Sequence, residues 1–159
     1  MKRLAVAFSG PSNTGKTTLI VKVAKKFIDD GLKVVIMKHD PSDKAEFDVE
    51  GKDSYKFSEI GADVVVASPT RTTYFSKETK SLDEIVAMIG EFDLLIVEGL
   101  KTLPLPRMSL FRGKLDEEYF EVSDAIATDG LEYSGNLPHY DINDAKSICE
   151  WVIENAKKL

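Results

Sequence analysis

Gly10-Pro11-Ser12-Asn13-Thr14-Gly15-Lys16-Thr17, followed by Thr18, is the stretch whose reading decides the fold. An apolar run, Leu4 to Phe8, feeds into it, and beyond it Leu19, Ile20, Val23, Ala24, Phe27 and Ile28 recur with helical period. Strand, glycine loop and helix in that order have the spacing of a phosphate-binding P-loop. The glycines let backbone N–H groups curl inward around phosphate oxygens, and the helix N-terminus adds partial positive charge. Gly10, Ser12, Asn13, Thr14, Gly15, Lys16, Thr17 and Thr18 are therefore the candidate nucleotide-binding residues. Lys16 would reach the β- and γ-phosphates, and the Thr17 hydroxyl would bind Mg²⁺.

The 159 residues fit a single P-loop nucleotide-binding domain (residues 1–159), large enough to bury a core without disulfides or a structural metal. Hydrophobic residues at 43% and charged residues at 30% suit a soluble globular protein. The apolar run after Met1-Lys2-Arg3 is too short for a secretory signal, and no stretch is long enough to span a membrane. A lone cysteine, Cys149, excludes an internal disulfide and a thiolate metal cluster, which points to a reducing cytoplasm. The net charge of −6 argues against nucleic acid as a partner.

Lys33 to Met37 reads as a second, fully apolar strand of the kind buried in a parallel sheet. Asp40 follows it, where a carboxylate could bind Mg²⁺ or simply sit in a solvated loop. Asp53 or Ser54 could cap a helix that Gly61 stops, and Val64 to Ala67 reads as a third buried strand before Arg71 and an edge strand from Thr72 to Phe75. Ser81-Leu82-Asp83-Glu84 fits a capping box for a helix ending at Gly90. Phe92 to Val97 is another strand, and Glu98 directly after it stands where a Walker B carboxylate serves the metal and water, so Lys16 and Glu98 are the candidate catalytic pair. Leu100 to Pro106 is a candidate mobile loop, and Arg107 to Arg112 and Ala125 to Thr128 are further strands. Asp129 after the last of these could read the N1 and N2 groups of guanine. Asn143 or Asp144 starts a final helix with Ile148, Cys149, Val152 and Ile153 on one face and Lys157 and Lys158 at its end. His139 and Trp151 read as structural. The pattern gives an α/β fold, a mostly parallel twisted sheet flanked by helices in three layers, its ligand crevice at the strand C-termini.

Several strings, taken together, resemble one family. They are Ser12-Asn13-Thr14-Gly15-Lys16-Thr17-Thr18, Lys38-His39, Gly51-Lys52-Asp53-Ser54-Tyr55, Gly61-Ala62, Ala67-Ser68 with Arg71, Leu95-Ile96-Val97-Glu98-Gly99, Leu110-Phe111-Arg112 and Asp141-Ile142-Asn143-Asp144. The chain resembles the molybdopterin-guanine dinucleotide biosynthesis protein B (MobB) family of P-loop proteins. The resemblance implies a cytoplasmic, homodimeric accessory protein that binds GTP and Mg²⁺ and hydrolyses GTP weakly. It would assist a molybdopterin guanylyltransferase (MobA-type) that joins GMP to molybdopterin, the pterin being a further candidate ligand. Carried over, the resemblance assigns Lys16 and Thr17 to phosphate and Mg²⁺, and Glu98 to metal and water. It makes Arg71 and Arg112 anionic-ligand contacts, and Lys38 of the matching Lys38-His39 is a further candidate binding residue, which in a kinase or ligase would hold an acceptor carboxylate. The chain departs from the family between His39 and Gly51, where many relatives carry further histidines; here Asp40 and Asp48 remain for magnesium.

Two other classes compete. An ATP-dependent kinase or ligase resembling dethiobiotin synthetase shares the P-loop and the Val97-Glu98-Gly99 strand end, but leaves Gly51-Lys52-Asp53-Ser54 and Leu110-Phe111-Arg112 without a role. A dimerising ATPase of the partitioning or nitrogenase-iron-protein type would carry an extra lysine early in the loop, where this chain has Pro11-Ser12.

Overall fold

The strand that feeds the glycine loop, β1 (Leu4–Ser9), becomes the centre of the sheet in a computed structural model that describes residues 2–159. After it come α1 (Lys16–Asp29), β2 (Val34–Lys38), α2 (Asp53–Glu59), β3 (Val64–Ala67), β4 (Thr72–Phe75) and α3 (Leu82–Ile89). The rest of the chain forms β5 (Leu94–Glu98), β6 (Arg107–Phe111), a 3-10 turn (Glu117–Val122), β7 (Ala125–Thr128), β8 (His139–Asp141), α4 (Ala145–Asn155) and β9 (Lys157–Lys158). The chain divides into two compact units, one made of the residues up to His39 with Glu91–Leu159, the other of Asp40–Gly90.

In the first unit seven strands form one sheet, ordered β2-β5-β1-β6-β7-β8, all parallel, with β9 pairing antiparallel to β1. Alternate residues Val6, Phe8, Leu94, Ile96, Met108, Leu110, Ala125 and Ala127 pack in one cluster with Leu19, Val23 and Phe27 of α1 and Ile148, Trp151 and Val152 of α4. The opposite pleat positions, among them Ala5, Ala7, Leu95, Val97 and Ile126, are also fully buried, as strands between parallel neighbours require. Asp93, at the N-terminal end of β5, accepts backbone N–H bonds from Lys2 and Lys33 at 3.0 Å each. It therefore lies at the end opposite Glu98. Asp144 starts α4, accepting from the Ser147 N–H at 3.1 Å.

Several local expectations change. β2 lies at the sheet edge, pairing only β5, so Ile36 stays 47% exposed instead of being buried on both faces. Ile28 and Ile153 also face outward, because α1 and α4 each bury only a stripe. α4 ends at Asn155, and Lys157 and Lys158 pair with Ala5 and Leu4 instead of extending the helix. β8, around His139, follows a proline-containing stretch without an apolar run and carried no strand signal.

The second unit holds α2, α3 and a two-stranded antiparallel sheet, β3 with β4. Its hairpin is closed by Ser68, whose N–H donates to the Arg71 carbonyl at 2.9 Å and whose Oγ accepts the Arg71 N–H at 3.1 Å. Val64 to Ala67 is thus a strand but not a buried one: only Val64 is buried, while Val65 is 62% exposed. α2 starts without a side-chain cap from Asp53 or Ser54, and the Ser54 hydroxyl instead donates to Asp48 at 2.9 Å. The α3 capping box forms as expected, with Ser81 and Glu84 each bonding the other's backbone N–H.

Candidate nucleotide site

The switch in strand order falls at β1, whose neighbours are β5 and β6, and the P-loop leaves the sheet there. Two glycines make the turn possible. Gly10, at φ +131°, runs so close to β6 that a Cβ would collide with the Leu110 carbonyl oxygen. Gly15, at φ +89°, forms the N-cap of α1 and has no side chain to bond the helix's first N–H groups, which remain available to a ligand. Asn13 between them is also left-handed, at φ 62°. Thr14 is buried and holds the loop by donating its hydroxyl to the Pro11 carbonyl at 3.0 Å.

Ser12, Asn13, Gly15, Lys16, Thr17, Thr18, Lys38 and Glu98 line one cavity of about 350 Å³. Register brings the last two together: Lys38 of β2 pairs with Glu98 of β5, and Glu98 also pairs with Phe8 of β1. The Lys38 ammonium lies 3.1 Å from the Glu98 carboxylate. Lys16 donates to the carbonyls of Gly10 at 2.8 Å and Pro11 at 2.6 Å. Burial pushes the Lys16 ammonium below its usual range, Glu98 opposes that shift and Lys38 adds to it. An anion entering the cavity would favour the charged form of Lys16 and so oppose that shift.

The remaining expected residues fall in two groups. The Arg112 guanidinium lies against the loop, its Nη2 3.5 Å from where a Cβ on Gly15 would stand. Asp129 follows β7 and accepts the Gly113 N–H at 3.3 Å, so it is tied to the loop that carries Arg112. Asp40 and Arg71 belong to the second unit. There the Asp40 carboxylate accepts the N–H groups of Lys44 and Ala45 at 2.8 and 2.7 Å, and Arg71 closes the hairpin turn. Among the described residues no group of three or more His, Cys, Asp or Glu gathers to hold a metal. The Thr17 hydroxyl and Glu98 carboxylate are hard oxygen donors on one cavity wall, the donor type that suits Mg²⁺ shared with phosphate oxygens.

One residue escaped the sequence reading. Arg107 is 1% exposed, and its guanidinium donates to Ser9 Oγ at 2.5 Å and to the carbonyls of Gly99, Leu100 and Leu103 at 2.8, 2.9 and 3.2 Å. It joins the strand before the P-loop to the segment after Glu98, and that segment is anchored rather than the free loop its prolines suggest. The only signal in the sequence was a charge opening an otherwise buried strand.

The family model for molybdopterin guanine dinucleotide synthesis protein B matches residues 5–129. The chain belongs to this family. Among curated relatives, the molybdopterin-guanine dinucleotide biosynthesis adapter protein of Escherichia coli is 32% identical over 168 residues, covering 96% of this chain and 93% of its own. The adapter protein of Haemophilus influenzae is 31% identical over 156 residues, covering 92% and 86%. A crystal structure of molybdopterin-guanine biosynthesis protein B superposes with a TM-score of 0.76 at 26% identity, covering 95% of this chain and 99% of that one. The matched span of the protein B family model runs from β1 to Asp129 and so contains the whole cavity lining. No helix among the described residues is long and apolar enough to cross a membrane.

Proposed function

We propose that this chain is a GTP-binding adapter in molybdopterin guanine dinucleotide biosynthesis, working in the cytoplasm as a homodimer beside a molybdopterin guanylyltransferase and hydrolysing GTP slowly with Mg²⁺. The observation that carries the reading is the convergence of Ser12–Thr18, Lys38 and Glu98 on one cavity in a member of the protein B family. Lys16 and the open N–H groups of α1 would hold the phosphates. Thr17 and Glu98 would hold the cation, which when bound neutralises charge on the transferring phosphoryl group. Arg112 would meet an anionic part of the ligand, and Asp129 would accept the guanine N–H groups. Without an arginine supplied by a partner, intrinsic turnover should be slow, on the order of 10⁻⁴ to 10⁻² s⁻¹.

Calorimetric titration with non-hydrolysable GTP and ATP analogues, each with and without Mg²⁺, tests the reading. GTP preference supports it; equal or tighter ATP binding would turn the assignment to a small-molecule kinase or ligase. Lys16→Ala should weaken triphosphate binding by about 100-fold. Glu98→Gln should lower Mg²⁺-dependent hydrolysis while the thermal transition stays in place. Sedimentation of the purified chain reports the dimer.

A further inference from the structure

β6 opens on a charge that packing alone does not ask for. Arg107 pairs with Ala7 of β1 and is among the largest side chains that the chain buries completely. Burial lowers the pKa of its guanidinium, and the nearby Asp124 charge opposes that shift. The Asp124 carboxylate nevertheless bonds the Arg107 backbone N–H, at 2.8 Å, while the guanidinium is met by neutral oxygens, Ser9 Oγ and the carbonyls of Gly99, Leu100 and Leu103. Taking a cation out of water is costly, and an apolar side chain of similar volume would pack against a sheet at lower cost. The arginine is explained by what its bonds hold.

Those bonds hold the two halves of the nucleotide cavity. Ser9 is the last residue of β1, directly before Gly10 of the P-loop, and Gly99 directly follows Glu98 at the end of β5. One nitrogen, Nη1, bonds both Ser9 and Gly99, and Nη2 bonds Leu100 and Leu103, so a single rigid, planar group spans from the entry of the P-loop to the turn after the carboxylate. The backbone at Glu98 is already tied to its neighbours, its carbonyl accepting the His39 N–H at 3.0 Å and the Gly99 N–H donating to the Phe8 carbonyl at 2.8 Å. Past it the chain turns through two consecutive positive φ values, 84° at Gly99 and 50° at Leu100. Glycine adopts the first freely, but a leucine holds the second only where its surroundings impose it. Arg107 takes the carbonyls of both residues and supplies that constraint.

We propose that Arg107 is a positioning residue for the nucleotide site, keeping the turn after Glu98 in register with the P-loop so that cation and triphosphate are bound as one ligand. The assignment rests on the nucleotide reading of the cavity, and what it adds is the coupling between the two ligands. Binding of a non-hydrolysable GTP analogue to the full chain is measured calorimetrically in Mg²⁺ and in EDTA, beside the melting transition of each variant. In the unaltered chain Mg²⁺ should tighten binding by about tenfold or more. Arg107→Met should cut that gain to about twofold while the affinity in EDTA stays within about twofold, because the phosphate-binding backbone of the P-loop is placed locally. Arg107→Lys, which keeps the charge but not the planar fork, should fall between. Ser9→Ala keeps the buried guanidinium and removes one of its bonds; it should lose about threefold of the Mg²⁺ gain with its fold intact, and it decides the matter if Arg107→Met does not fold. In Glu98→Gln the gain should already be small, and adding Arg107→Lys should take nothing further from it. An undiminished Mg²⁺ gain in Arg107→Lys and Ser9→Ala, with only the melting transition lowered, overturns the proposal and leaves the nucleotide reading standing. Equal losses in Mg²⁺ and in EDTA, or losses that add to that of Glu98→Gln, overturn it as well. Failure of the unaltered chain to bind the analogue in either condition overturns the nucleotide reading, and this proposal with it.

Discussion

β5 reads Leu94-Leu95-Ile96-Val97 and β3 reads Val64-Val65-Val66-Ala67, two apolar runs that look alike on paper. In the first unit every one of the four is buried; in the second only Val64 is. The difference lies in what flanks them. β5 has parallel partners on both edges, β1 and β2, and packed residues above and below, whereas β3 has one antiparallel partner in a sheet of two. An apolar run announces a strand, but whether that strand is covered depends on neighbours that arrive from elsewhere in the chain. The unit with neighbours on all sides also carries the cavity that Lys16, Lys38 and Glu98 line, because parallel pairing of β2 with β5 fixes Lys38 against Glu98 within hydrogen-bond distance.

This contrast can be broken experimentally. Leu95→Ala, at a fully buried position, should cost about 3–4 kcal/mol in chemical denaturation, while Val65→Ala on the exposed hairpin should stay within about 0.5 kcal/mol. A large loss at Val65 would mean that β3 is covered in solution, as a dimer burying this face would make it. Arg107→Met should cost about 2–3 kcal/mol, since it strands the Ser9 hydroxyl and three carbonyls that it now bonds, and proteolysis should then begin in Leu100 to Pro106. Amide exchange sharpens the comparison without mutation: protection should be highest in β1, β5 and β6 and much lower across β3 and β4. The smallest effect is expected from acid. Backbone N–H bonds from Lys33 and Lys2 hold the Asp93 carboxyl below its ordinary 3.8 in the first unit, and those from Ser81 hold Glu84 below its ordinary 4.5 in the second. A depressed folded-state value means that the stability from each is complete above its ordinary value and is lost as pH falls through the folded one. Asp93→Asn and Glu84→Gln should each flatten the fall in melting temperature below about pH 4.5, and an unchanged slope would remove that carboxylate from the account.

The site was legible to very different degrees. The P-loop could be read outright, because its function lies in the local backbone: glycines where φ is positive, a lysine and a threonine at the start of a helix. Glu98 could be read from its place after an apolar strand. Lys38 is legible as a site residue only through resemblance, since its meeting with Glu98 depends on a β2–β5 pairing between residues sixty apart in sequence. Arg107 was missed for the same reason, its partners lying on β1 and on the loop after β5, and so was the anchoring of Leu100 to Pro106.

By itself the sequence determined the order of elements, the phosphate-binding loop, the capped helix at Ser81 and the family. Periodicity, turn chemistry and a short motif are local properties, written in adjacent residues. Only the tertiary structure decided that β2 stands at an edge, that Val64 to Ala67 belongs to a separate small sheet, and that a buried arginine ties the P-loop strand to the segment after Glu98. Those outcomes are set by which strands pair and in what register, and pairing is a contest among distant segments for the same hydrogen bonds and buried area, one that no single stretch of sequence records.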